Sequence, residues 1–456
     1  MRKQKSKEGG KALIEELEQE LDSFNPGQRK DGLLALCDQV KAGRIELPTP
    51  GTDVNLHCHT FFSYNSYGYS PSKFAYLARK AGLAVAGVVD FDVLDALEEF
   101  LEAARLLGLK ACAGLETRVF VPEFSTRVMT SPGEPGITYH MGMGFPTARF
   151  ETEQQDFLLS LRQTAQRRNQ ELMGRVNQHL KPAELDYEQD VLVLTPAGNA
   201  TERHISLAYA RKAAEIFGRG QDLADFWSEK LGVEVKITEL PESRELLNTI
   251  RAKTMKRGGV GYVRPDKGSF PLMADTNKFI LAAGGMPVHT WLDGTSDAEK
   301  AIEELLDVSM NTGSVAINII PDRNYTPGAK DVKLENLYAV VELAEQLHLP
   351  VVVGTEMNSP GQKFVDSFDT PELAELVPVF LKGAHIVYAH SVLQQHCGLG
   401  YTSEWAGKSF ESVAQKNEFF RELGSSLEPH REDKLAGLNE GATAEQILDI
   451  VTGANQ

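Results

Sequence analysis

Cysteine is scarce in this chain of 456 residues: Cys37, Cys58, Cys112 and Cys397 stand far apart, with no C-x-x-C pair. That excludes a disulfide framework and a thiolate zinc site. Positive charge is also short, with 47 Lys and Arg against 64 Asp and Glu, a formal net charge of -17. Such a surface disfavours wrapping long nucleic acid through phosphate contacts. A small anionic substrate in a locally basic pocket stays open, because the residues of a site set its field. No unbroken run of about 18 apolar residues occurs, so no membrane-spanning helix is expected. The basic start, Met1 to Lys7, is followed by Glu-rich sequence where a secretory signal would carry an apolar core. A cytoplasmic address is the expectation.

What is present alternates. Residues 8 to about 46 carry two helical patterns broken at Asn25-Pro26-Gly27, and Pro48-Thr49-Pro50-Gly51 closes this arm. Strands are expected to end at His57, across 84–89 and across 109–115, separated by helices from Pro71 to Ala81 and from Asp92 to Leu107. A strand at 139–145 and a long helix from 150 to about 180 follow. Helical patterns then fill 146–270, which interrupts the rhythm. Strands return at 286–289, 315–320, 350–354 and 385–389, with helices at 297–310 and 331–348, and later at 404–423 and 443–451. Alternation of this kind means βαβ units in a parallel sheet or barrel. Three parts are expected: an N-terminal helical arm over 1–50, suited to a homo-oligomer contact; an α/β barrel over 51–400; and a C-terminal helical extension over 401–456.

Polar residues gather where the strands end, at His57 and His59, Asp90 and Asp92, and Glu116. Carboxyl ends of strands are where α/β folds hold their chemistry. His57 and His59 are two apart, so an extended strand projects both to one face, half of a metal site. Two unrelated polar residues at a strand end is the plain alternative. Arg251, Lys253, Lys256 and Arg257 before Gly258-Gly259, with Arg264 and Lys267 after, suit a phosphate-gripping loop or a solvated basic helix end. From this group, Arg251, Lys256 and Arg257 are the candidates for substrate phosphate. The order does not match a P-loop. Tyr64, Tyr67 and Tyr69 suit either a pocket wall or loop packing. His390 and His396, six apart, match no ligand spacing.

Laid out in order, these stretches resemble the PHP superfamily, the polymerase and histidinol phosphatase metal hydrolases. His57-Cys58-His59-Thr60 with Ser63 resembles the opening H-x-H-T motif. Val89-Asp90-Phe91-Asp92 stands where the family writes T-D-H-D, and Gly114-Leu115-Glu116 is similar to the third motif. Met286-Pro287-Val288-His289 resembles the A-H-P strand, and Gly354-Thr355-Glu356-Met357-Asn358 the closing G-S-D-x-H. Tyr139-His140 and Arg203-His204 are weaker matches. Phe91 and Asn358 replace family histidines, and Glu356 replaces an aspartate.

The resemblance implies a distorted (β/α)7 barrel, here with a helical insertion at about 146–270 and helical extensions at both ends. It implies a metal set of His57, His59, Glu116, His140, His204, His289 and Glu356, holding one to three Mn, Zn or Fe ions. Catalytic roles fall to His289, Asp90 and Arg203. The expected activity is hydrolysis of a small phosphate ester, a phosphomonoester or nucleotide, by metal-activated water. The alternatives are a metal-dependent amide or C–N hydrolase or lyase, and a degenerate binding scaffold.

Overall fold

Seven short strands, β1 (Val54–Cys58), β2 (Val85–Phe91), β3 (Lys110–Phe120), β4 (Ile137–Met143), β5 (Met286–Trp291), β6 (Ala316–Ile319) and β7 (Val351–Val353), form one sheet in chain order. This computed structural model describes residues 2–265, 268–324 and 330–453, with side chains from residue 11 onward. Neighbouring strands run parallel except at β4, which is antiparallel to β3 and β5. Past β7 the chain meets β1 again. The Glu356 amide donates to the His57 carbonyl at 2.7 Å, and the His59 amide donates to the Glu356 carbonyl at 2.9 Å. Those bonds nearly close the sheet into a barrel.

Helices α1 (Arg2–Glu20) and α2 (Pro26–Lys41) precede the sheet, and α3 (Pro71–Ala81) and α4 (Leu97–Leu107) separate its first three strands. Between β4 and β5 lie α5 (Thr152–His179), α6 (Glu202–Phe217), α7 (Gln221–Leu231), α8 (Arg244–Thr254) and α9 (Met273–Ala282). The chain continues through α10 (Ile302–Asn311), α11 (Lys330–Gln346), α12 (Val377–Cys397), α13 (Glu404–Ser409), α14 (Val413–Ser426) and α15 (Ala444–Thr452). Local chemistry sets the ends. Ser70 caps α3 by accepting from the Lys73 amide, Pro71 opens it, and Gly82 closes it at φ 77°. Helices α5 to α8 bury a core of their own, with Val176, Tyr209, Trp227 and Ile250 at its centre.

One irregularity in β1 positions the site. Asn55 pairs with Ala86 and Cys58 with Val88, so β1 spends three steps where β2 spends two. This bulge leaves Asn55 and Cys58 on the same, outer face, and it turns His57 and His59 to the inner face. Phe91 and Glu116, paired across β2 and β3, look to that inner face as well.

The expected strand at 385–389 is instead the middle of α12. A short apolar run has no period that separates a buried helix from a strand, and this helix is buried on nearly every side. Together with its preceding turn it is long and apolar enough by composition to span a membrane, which the count of unbroken apolar residues missed. In this fold 67% of that window is buried. It crosses the end of the barrel opposite the site: Lys110, the first residue of β3, lies over the Tyr388 ring, and Gly383 packs on Val351, the first residue of β7.

Candidate metal centre and its cavity

Three side chains meet at the carboxyl end of the first three strands. The Nε2 atoms of His57 and His59 lie 3.4 and 3.1 Å from Oε2 of Glu116. One ligand atom from each residue falls within 4.8 Å of the others, and all three residues are buried. The remaining ring nitrogens are already committed. His57 Nδ1 faces Asn318 Oδ1 at 3.3 Å. His59 Nδ1 faces Ser63 Oγ at 3.2 Å, and Ser63 gives its one proton to Asp90 Oδ1 at 2.6 Å. Both histidines therefore carry hydrogen on Nδ1 and present Nε2 lone pairs to a carboxylate.

Those three facing atoms, His57 Nε2, His59 Nε2 and Glu116 Oε2, have no hydrogen-bond partner. Buried acceptors crowded without a donor need a cation between them, a proton or a metal ion. Burial would raise the Glu116 carboxyl, but His57 and His59 outweigh it and hold it at about 2. Burial works against a charged His57, yet Glu116 opposite raises its pKa. Two imidazoles and one carboxylate suit Zn, Mn or Fe, and three ligands leave positions open on such an ion.

Asp90 stands behind this cluster. Its oxygens accept from the Thr60 amide at 2.8 Å, the Thr60 hydroxyl at 2.6 Å and Ser63, so it orients His59 and does not reach the cavity. Phe91, where the motif it resembles has a histidine, stacks on His59 with ring centroids 4.3 Å apart. Glu356 lies beside the cluster but outside it. Its carboxylate accepts from Arg323 at 3.1 Å and Gln362 at 2.9 Å.

The structure does not bring the other three histidines to the cluster. His140 pairs with His289 across β4 and β5, and with Thr117 of β3. Thr117 is one residue past Glu116, so strand alternation sends this row to the outer face. There His140 Nε2 meets Asn277 of α9 at 2.5 Å. Burial pushes His140 down to about 4 and His289 to about 3. His204 fills a different post. Its Nδ1 accepts the Thr201 amide at 3.1 Å in the capping box of α6, which leaves Nε2 as the protonated nitrogen and no lone pair for a metal.

Glu116 opens into a cavity of about 650 Å³ between the barrel end and helices α5, α6 and α8. Seven cationic side chains line it against five carboxylates, in a chain with the opposite overall balance. Arg203, Arg251, Lys256 and Arg257 are among the seven, and Asn358 lines the wall. Lys267 lies outside the described residues. Glu202 holds Arg251 at 2.9 Å and Lys256 at 2.7 Å, while Arg203 donates to Asn248 at 2.7 Å. Arg118 and Arg168 both lie over the Phe270 ring, 4.4 and 4.2 Å from its centroid. Burial, joined by Arg118, brings Arg168 down to about 10.

Sequence reasoning passed over Arg118, Tyr139, Arg168, Asn318 and Arg323. Arg118 had a signal, since it lies two residues past Glu116 on one strand and so shares its face. Arg323 follows a strand end. Arg168, in the middle of a polar helix, had none. Of the tyrosines, Tyr67 and Tyr69 stack on each other, and Tyr64 packs edge-on against His204. On α12, His390 accepts the Tyr401 amide at 2.9 Å.

These residues define a class of site: a buried His-His-Glu ligand set at a barrel end, open to a cationic cavity. No protein-family model matches the chain, and no curated protein matches it significantly. Among solved structures it is similar to an amidohydrolase from Chromobacterium violaceum, solved with bound sulfate and no metal. Identity is 18%, coverage is 72% of this chain and 96% of that one, and the TM-score is 0.48. It is also similar to a protein described as a metal-dependent phosphoesterase from Bifidobacterium adolescentis, at 18% identity, 73% and 98% coverage and a TM-score of 0.47.

Proposed function

We propose that this chain is a metal-dependent hydrolase of a small phosphate ester, as the PHP-like motifs imply. The observation that carries the reading is the shared cavity. Glu116, one of three converging ligand atoms, lines the same space as Arg118, Arg203, Arg251 and Lys256. A divalent ion held by His57, His59 and Glu116 supplies, when bound, neutralisation of phosphate charge and activation of water. The chain's own residues do the rest. Guanidinium groups from β3, α5, α6 and α8 bind and orient the phosphoryl oxygens, and Arg side chains suit that task through paired donors. Their carboxylate partners and the Phe270 ring hold them in place before substrate arrives, which lowers the ordering cost of binding.

A second reading, amide or C–N hydrolysis, is favoured by one feature. Among the described residues the ligand cluster has three members, enough for a single ion, where phosphoryl transfer commonly uses two. The test is metal analysis of the purified protein, then turnover of phosphate esters against cyclic amides. About one equivalent of Mn, Zn or Fe, lost in His57→Ala and His59→Ala together with phosphate release, is the expected result. Turnover of amides alone would transfer the protein to the second reading. Full activity in metal-free protein would overturn both.

A further inference from the structure

The phosphate-ester reading leaves one step without a residue: a proton must reach the departing oxygen. Few groups in the cavity can give one. Glu134, Glu202 and Glu356 each accept from a cation, and Asp92 accepts from the Thr117 hydroxyl at 2.6 Å. The three ion-paired glutamates are ionised and hold no proton; burial raises the Asp92 carboxyl, but Arg168 and Arg118 nearby favour its carboxylate. Arginines do not release theirs. Lys256 can release a proton, but its ammonium is turned to Glu202 at 2.7 Å.

Tyr139 differs from all of these. It pairs with Arg118 in the β3–β4 ladder, one pleat above Glu116 on the inner face. It lines the cavity, is half-buried, and its hydroxyl has no hydrogen-bond partner among the described residues. Burial raises the phenol above its ordinary range although Arg118 and Arg251 pull it down, so it keeps its proton at neutral pH. This O–H belongs to a residue that lines the cavity one pleat from Glu116 and pairs with Arg118, so it shares the space of the phosphate site proposed above.

We propose that Tyr139 is the general acid of this site. Water attacks phosphorus, the P–O bond to the leaving group breaks with its electron pair going to that oxygen, and the Tyr139 hydroxyl proton transfers to it. The phenolate regains a proton from the attacking water, so atoms and charge balance. The inference rests on phosphate-ester hydrolysis and fails with it.

Metal-loaded Tyr139→Phe is compared with the parent across phosphates from 4-nitrophenyl to simple alkyl esters. A good leaving group departs unaided, so an acid matters most for alkyl esters, where roughly 10²–10⁴-fold loss in kcat is expected. The loss on 4-nitrophenyl phosphate stays near tenfold or below. Equal loss on every ester, or none, overturns the inference while the phosphatase reading stands; no turnover by the parent protein sinks both. Metal content and melting temperature, unchanged in the variant, exclude a folding defect. A fluorinated, more acidic tyrosine at 139 provides a second test: the basic limb of the alkyl-ester pH profile shifts to lower pH, and an unmoved limb overturns the assignment.

Discussion

Breaking the chain of contacts behind His59 should weaken metal binding without touching a ligand. Asp90 takes the Ser63 proton at 2.6 Å, and Ser63 in turn faces His59 Nδ1 at 3.2 Å. Ser63→Ala removes the acceptor for Nδ1–H and leaves that proton buried and unpaired. Asp90→Asn keeps the shape, and its carbonyl can still accept from the Thr60 amide, but the negative charge that makes His59 a stronger donor is gone. Loss of such an outer partner typically costs about 10–100-fold in metal affinity, or roughly 1.4–2.8 kcal/mol. Both changes act through one imidazole proton. The double variant is therefore expected to bind about as weakly as the worse single one, with strong non-additivity. Titration of metal-free protein with Zn or Mn against a chromogenic chelator measures each affinity, and thermal melts of the apo forms report folding separately. Affinities within about threefold of the parent in all three variants, or losses that simply add, would refute the relay.

Two further outcomes follow from charge and packing. Burial, then Arg251 and Arg118, overcome Glu202 and bring the Lys256 ammonium from the ordinary lysine range to about 8. Charged below that pH and neutral above it, Lys256 should make sulfate, which does not titrate here, bind several-fold more weakly at pH 9 than at pH 7; Lys256→Met binds weakly at both by calorimetry. An equal pH step in the variant would show that another group titrates. At the far end of the barrel, a Cβ on Gly383 of α12 would lie 1.9 Å from the Val351 carbonyl oxygen. Backbone meets backbone there, so Gly383→Ala is expected to destabilise by about 1–3 kcal/mol or more in chemical unfolding. A parent-like midpoint would show that the helix is free to shift.

Element order and type were largely legible from residue spacing. Pro71 and Gly82 bracketed α3, and polar residues at successive strand ends pointed to the barrel edge where His57, His59 and Glu116 converge. Helix α12 was not legible as drawn, because an apolar run buried on all sides carries no face. His140 and His289 show a second limit. Their motifs resemble metal-binding strands, but which way a strand side chain looks depends on register, and register is fixed only when β3, β4 and β5 pair. His204 shows a third: the same residue that could ligate a metal also satisfies a helix cap, and backbone donors at a helix start are near at hand. The cationic lining came from α5, α6, α8 and β3 together, and only its α8 share stood close enough in sequence to be seen as a cluster.

The direction of a side chain on a strand is a two-valued quantity, and the extra residue in β1 works as its parity bit. With Asn55 opposite Ala86 and no bulge, His57 would fall opposite Val88, and both histidines would point at α3 and α4 instead of at Glu116. Nothing about their spacing, strand or burial would change. Pairing that ironed the bulge out would leave the motif intact as text and invert its meaning in space.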